Sequence, residues 1–289
     1  MGEGTMGLSP ASIVKLKRIW EDEFEVWSKR KITKKYVYMW VDGVNVQIRL
    51  GEDKKVCLLV IIGVTEDGEK DLLAVHPGYR ESAESWTTVL NSLVERGLTG
   101  PLLAIGDGAL GFWAALRATA GFEKTEEQRC WVHKIANVLD KMPKRVQSDA
   151  KALLHEMMKA PTVADALKAR QSFEKLFAEK YPKATECLVK SWSELTTFFH
   201  YPAAHWTSLR TTNPIESSFA TVKLRTKVTK GAGNRDTATA MAFKLLQECQ
   251  KRWRKIRGET KEIQNLLMGL EYRDGIVVPQ PSHREVAAS

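Results

Sequence analysis

The sequence lacks paired cysteines. Its 4 cysteines, Cys57, Cys130, Cys187 and Cys249, are scattered along the chain with no CxxC spacing, which argues against a disulfide framework in so large a protein. Long apolar runs are also missing. The most hydrophobic stretch, Cys57 to Val64, is too short to span a bilayer. The start, MGEGTMGLSP, has neither a basic n-region nor an apolar core, so no secretory signal is visible. Internal repeats and low-complexity tracts are absent, and the composition excludes collagen, coiled-coil rods and general disorder. What remains, 289 residues with 43% hydrophobic, is enough to bury a sizeable core in one large domain or two modest ones. The expectation is a soluble, cytoplasmic, basic protein with no membrane partner.

Positive charge is present in excess and has a location. The chain carries 44 Lys and Arg against 35 Asp and Glu, a formal charge of +9. Between His205 and Gly258 stand twelve bases and only three acids, Glu216, Asp236 and Glu248, and elsewhere the two signs cancel. Clustered Lys and Arg release counterions from a phosphate backbone, so a block this polarised points to a nucleic acid, although a solvated helix surface would read the same way.

The pattern of apolar residues divides the chain. Residues 8–30 read as one helix, started at Ser9-Pro10 with Ile13, Leu16, Trp20, Phe24 and Trp27 at helical spacing. Three strands follow over 36–50, 55–65 and 70–76, rich in Val, Ile and Tyr and separated by turns at Glu52-Asp53 and Glu66-Asp67-Gly68. A helix over 82–97, a strand over 101–105, a helix over 108–120 and a strand over 128–132 complete the order β-β-β-α-β-α-β, which suits a mixed α/β sheet flanked by helices. Trp40, Trp86 and Trp113 fall in its core elements. Residues 133–195 carry no strand signal and read as helices broken near Pro143, Pro161 and Pro182. Two more helices are expected over 214–229 and 236–257 around the turn GAGN, then a tail with Pro279 and Pro281, poorly ordered at its end. The organisation expected is a helical remnant (1–35), a catalytic core in two parts (36–140 and 206–258), a helical insertion (141–205) and a C-terminal tail (259–289).

Three carboxylates stand out. Asp42 lies in the apolar strand YVYMWVDGVNV, where an acid is costly unless paired, protonated or metal-bound, and Gly43 beside it would let a ligand approach. Asp107 follows the fourth strand between glycines, at the strand end where α/β sheets place functional groups. Each has an ordinary alternative: Asp42 could pair with Arg49 or a lysine, and Asp107 could cap the next helix. Glu216, in LRTTNPIESSF, fits a capping box with Asn213 as N-cap and Pro214 at N1. Yet it is the single acid between His205 and Arg235, and an acid in a phosphate-attracting surface is unfavourable unless it holds a cation. Three hard oxygen donors suggest Mg²⁺, or Mn²⁺ in its place, rather than zinc. Two such ions would suit phosphodiester displacement, which needs acids and no covalent nucleophile. Arg210, Lys223, Arg225, Lys227 and Lys230 are the expected phosphate contacts. In His205-Trp206 the tryptophan could stack on an unstacked base or equally be a core anchor.

Beyond these residues, the segments GDGALGFWAAL, QRCWVHK, HWTSLRTTNPIESSFATVKLRTK and KGAGNRD look like the Mutator-type bacterial insertion-sequence transposases, a resemblance running from about residue 7 to 258. It implies a ribonuclease-H-like DDE transposase with Asp42, Asp107 and Glu216 as catalytic and metal-binding acids. It also implies an all-helical insertion ahead of Glu216, a Cys-x-x-His signature at Cys130 and His133 that supports the active site, and a basic stretch at Lys223, Arg225 and Lys227. The implied function is metal-dependent DNA cleavage and strand transfer at insertion-sequence ends. Transposon-end and target DNA would be the partners, with a homodimer or higher oligomer on DNA, in the bacterial cytoplasm at the nucleoid. Relatives usually carry a longer N-terminal region that binds the element's inverted repeats, and only the helix over 8–30 precedes the first strand here. A truncated transposase acting as a DNA-binding or dimerising inhibitor is therefore the alternative.

Overall fold

A computed structural model describes residues 9–50, 54–78, 80–108 and 111–279. The expected turn at Glu52-Asp53 and the end of the tail lie outside them. The first helix, α1 (Pro10–Ser28), starts where Ser9 Oγ accepts the Ser12 amide at 3.1 Å. Its Phe24 and Trp27 rings meet Phe243, with ring centroids 5.4 and 4.6 Å apart, so α1 is held by α11 (Arg235–Gln250) near the end of the chain.

Strands β1 (Tyr36–Gln47), β2 (Lys55–Thr65) and β3 (Lys70–Gly78) form the expected antiparallel meander. After α2 (Ala83–Glu95), strand β4 (Leu103–Gly106) joins β1 in parallel. After α3 (Phe112–Ala118), strand β5 (Glu126–Arg129) joins β4 in parallel. The order across the sheet is β3-β2-β1-β4-β5, a mixed ribonuclease-H-like sheet. Side chains from alternating positions of β1 feed two cores: Tyr38, Trp40 and Val44 pack on one face, Met39 and Val41 on the other. The first face is covered by α10 (Asn213–Val228) and α4 (Trp131–Leu139), the second by α2 and α3. Trp40 and Trp86 are fully buried and Trp113 nearly so, as their elements imply.

The fifth strand ends earlier than its sequence suggests. The apolar Trp131 does not extend β5 but opens α4, burying itself with Ile135 and Val138 at helical spacing. Helices α5 (Lys144–Lys159), α6 (Val163–Phe177), α7 (Pro182–Val189) and α8 (Trp192–Thr196) follow, with breaks at the expected prolines. They share the larger of the two cores with the sheet. The join is polar as well: Trp131 Nε1 and Gln128 Nε2 both donate to the Leu195 carbonyl, at 2.8 and 3.2 Å. Lys134, buried in α4, donates to Cys187 O and Ser191 Oγ.

Short α9 (Trp206–Leu209) leads into α10. The following helix, α11, stops at Gln250 rather than 257, because the base-rich stretch behind it leaves the helix to pair with the sheet edge: Lys70 Nζ donates to Arg254 O and the Ile256 amide to Gly68 O. The part of the tail ahead of Pro279 is built of regular elements. It forms α12 (Thr260–Leu267) and a small hairpin of β6 (Tyr272–Arg273) and β7 (Ile276–Val277), with Ile263, Leu266 and Tyr272 buried. No helix among the described residues is long and apolar enough to cross a membrane.

Candidate active site

Parallel pairing of β1 and β4 aligns Trp40 with Ile105. Two residues beyond that pair on each strand's path stand Asp42 and Asp107, so register alone brings the two residues level at the end of the ladder. Neither takes up its ordinary alternative. Asp42 Oδ1 accepts the Gly43 amide at 2.8 Å, and no ion pair to it occurs among the described residues. Asp107 caps no helix, since α3 starts at Phe112; its Oδ1 accepts the Gly108 amide and its carbonyl accepts Trp113 Nε1 at 2.7 Å. Burial pushes the Asp42 carboxyl up to about 7, with further upward pressure from Glu81 and Glu216.

Glu216 comes from the other side, on α10. The capping box expected for it is not formed: Thr212, not Asn213, is the N-cap, and the Thr212 hydroxyl donates to Glu216 Oε1. The carboxylate is thereby turned toward α4, where His133 Nδ1 lies 4.0 Å away. The Cys-x-x-His signature explains how this start of α10 is gripped. Buried Cys130 Sγ accepts the Thr212 amide at 3.3 Å and lies 3.2 Å from the Thr212 hydroxyl oxygen. The Cys130 amide in turn donates to Gly106 O at 2.8 Å, and the Trp131 amide to Arg210 O at 2.9 Å. Cys130 therefore ties the end of β4, which delivers Asp107, to the helix that delivers Glu216.

His133 is held above its ordinary range. Its neighbour Cys130, followed by the carboxylates of Asp107 and Glu216, raises it to about 9 against the opposing effect of burial. Cys130, His133 and Glu216 each bring one ligand atom to within 4.8 Å of one another. That sulfur already accepts the Thr212 amide and the imidazole is shifted toward its protonated form, so this trio is better matched to positioning Glu216 than to binding a metal.

Other expected contacts divide. Lys223, Arg225, Lys227 and Lys230 are exposed along and just beyond α10. Arg210 is not available to a phosphate: its guanidinium donates to Met158 O and Trp206 O and lies 5.4 Å over the Phe198 ring, stapling α9 to α5. Nor does His205-Trp206 offer a stacking surface. His205 is fully buried against the Tyr38 hydroxyl at 2.8 Å, and Trp206 packs on Phe198 and Phe199 while donating to Tyr201 O. Both are core anchors.

Sequence reasoning missed Glu81. A Cβ at Gly43 would fall on the Glu81 carboxylate, so the space that the glycine leaves belongs to this acid. Asp107 raises the Glu81 pKa after burial has done so, and Glu81 in turn acts on Asp42, which places this carboxylate near both aspartates. Only its neighbourhood to Gly43 in space, and nothing in its own stretch of sequence, could have flagged it.

The family model described as "Transposase, Mutator family" matches residues 3–256. The chain is 49% identical over 257 residues to the transposase for insertion sequence element IS6120 of Mycolicibacterium smegmatis, covering 89% of this chain and 78% of that protein. It is 46% identical over 277 residues to the transposase for IST2 of Acidithiobacillus ferrooxidans, covering 96% and 93%. A more distant relative, the transposase for IS905 of Lactococcus lactis, is 26% identical and is covered over 55% of its length. With the β-β-β-α-β-α-β sheet and an apposed late helix in place, the chain belongs to the Mutator family of insertion-sequence transposases.

Proposed function

We propose that this chain cuts and joins DNA at the ends of an insertion sequence by metal-dependent phosphoryl transfer, with Asp42, Asp107 and Glu216 as the catalytic acids. The observation that carries this reading is the apposition of two strand-end aspartates, in register, with a glutamate fixed on α10. The donor set fits a hard divalent cation: oxygen ligands only, and one of them, Asp42, held up to about 7 by burial and neighbouring acids, a cost that a bound cation would relieve. Mg²⁺, with Mn²⁺ as substitute, would supply Lewis-acid polarisation of the phosphodiester and a more acidic water.

The protein's own groups do the positioning. Thr212 and Cys130 hold Glu216 in place. Protonated His133 offsets the acids' charge beside the path of the scissile phosphate. Lys223 and Lys227 receive the DNA backbone along α10. Water attacks phosphorus at the element's end, the bond from phosphorus to the 3′-oxygen breaks, and that oxygen leaves as a 3′-hydroxyl. This hydroxyl then attacks a target phosphodiester, and a new phosphorus–oxygen bond joins element to target. The bond from that phosphorus to the target's own 3′-oxygen breaks, and that oxygen leaves as a 3′-hydroxyl, taking up a proton in exchange for the one the attacking hydroxyl gives up. Because an element has two ends, the active form on DNA is read as a homodimer or higher oligomer, working at the bacterial nucleoid.

Incubation of the purified chain with element-end DNA and Mn²⁺ tests this. Nicking at the end followed by joined products is the expected result, lost in Asp107→Ala while DNA binding persists. Binding without nicking by the wild-type chain would overturn catalysis and leave the DNA-binding or dimerising inhibitor as the remaining reading.

A further inference from the structure

We infer that Glu81 is a fourth carboxylate of the metal site, joining Asp42, Asp107 and Glu216 as a ligand of the divalent ion. The inference rests on the reading of those three acids as metal ligands and adds a residue that the three-acid pattern does not contain.

Three features place Glu81 at the site for a reason other than folding. First, the β1 backbone is cleared for it. Gly43, next to Asp42, has no left-handed φ that would demand glycine; a side chain there is excluded by the Glu81 carboxylate itself. Second, the loop that carries Asp107 is clipped to the same residue. The Gly111 amide donates to Glu81 O at 3.1 Å, and a Cβ at Gly111 would strike the backbone of Ser82 and Ala83. Glu81 thus bridges the segments bearing both aspartates, and a glycine on each segment makes the approach possible. Third, its side chain has no structural task. The N-cap of α2 is Ser82, whose Oγ accepts the Ser85 amide at 3.2 Å, so helix capping does not use Glu81. Among the described residues no hydrogen bond or ion pair to its carboxylate occurs, although it is half-buried beside two other acids. A carboxylate held against its own kind, eased by His133 through space but with no hydrogen bond or ion pair from the protein, is positioned for a cation from outside.

The test uses the full chain and Mn²⁺ alone, with binding followed by loss of the free-ion electron paramagnetic resonance signal, alongside melting in EDTA. Wild type is expected to bind, Asp107→Asn to lose binding, and Glu81→Gln to bind at least about tenfold more weakly, a loss typical of groups around a metal centre. Melting of Glu81→Gln without metal should match or exceed wild type, because one of several crowded acids is neutralised. Gly43→Ala is the second variant: its methyl displaces the flexible end of Glu81 rather than backbone, so it should fold and weaken Mn²⁺ binding as Glu81→Gln does. The double variant should then be no worse than either single one. Unchanged Mn²⁺ affinity in Glu81→Gln, with Asp107→Asn deficient, overturns the role of Glu81 and leaves the three-acid site standing. No Mn²⁺ binding by folded wild-type protein overturns both.

Discussion

At the scale of single residues, the site stores an electrostatic cost that should be visible in the metal-free protein. The folded Asp42 carboxyl titrates at about 7, above its ordinary value of 3.8, because burial disfavours its charge. A raised folded pKa means stability that is fully present below about 4 and is lost as pH rises through about 7. Asp42→Asn removes that loss. In EDTA the variant should therefore melt several °C above wild type at pH 8 and close to it at pH 4; parallel melting curves across that range would contradict the burial of a charged Asp42. Thr212 bears on the site in a different way, through geometry. Its hydroxyl donates to Glu216 and reaches Cys130 Sγ, so Thr212→Val keeps the shape and deletes the donor. End nicking should slow about 10–100-fold, as for other groups that orient a metal ligand, with only a small change in melting. Retention of full nicking rate would reduce Thr212 to a helix cap.

The element that organises the DNA side is α10. Glu216, Lys223 and Lys227 recur at spacings of seven and four residues, and so share one face of the helix, whereas Arg225 stands about 200° around from Lys223. Phe219, Val222 and Thr226 are buried on the adjoining flank, about a quarter turn around. The helix is pinned at both ends: at its start by Cys130, and at its finish by the glycine turn, where Gly231 has a left-handed φ of 91° and the Ala232 amide donates to Gln47 O of β1. A Cβ at Gly231 would come within 2.9 Å of that same carbonyl, which is why glycine stands there. The charged face is therefore held rigidly in line with Glu216. Lys223→Ala with Lys227→Ala should depress end nicking more than it depresses Tm, and should do so more strongly than Arg225→Ala. Equal losses from all three positions, measured as single-turnover nicking, would mean that the exposed bases act as a diffuse field rather than as an aligned contact.

For the molecule as a whole, the chain's periodicity made the sheet legible and its tertiary clamps invisible. Strand β2 begins and ends at the residues its apolar run implies, and the helix breaks at Pro143, Pro161 and Pro182 follow from backbone chemistry that each proline carries locally. Asp42 and Asp107 could be singled out because an acid in an apolar strand and an acid between glycines are anomalies within a few residues. Glu81, the commitment of Arg210 to α5, and the burial of His205 and Trp206 depend on partners far away in the sequence, so no local pattern announces them. The same distinction sharpens the reading of the +9 charge. Of the bases between His205 and Gly258, Arg210 is stapled inward, and Lys244, Lys251 and Lys255 are paired with Glu23, Glu248 and Glu69. Lys223, Arg225, Lys227 and Lys230 are exposed on and just beyond α10 with no ion pair among the described residues, as are Arg235, Arg252, Arg254 and Arg257 elsewhere in the block. Each phosphate neutralised by one of these should contribute about −0.9 to the log–log slope of DNA affinity against salt. Replacing the four at α10 by alanine should make the slope shallower by about 3 to 4, equally for element-end and unrelated duplexes, since backbone contacts carry no sequence information. Titrations at several salt concentrations decide it. A slope unchanged by the four substitutions would move the DNA-facing surface away from α10, and with it the reason for placing the scissile phosphate beside Glu216.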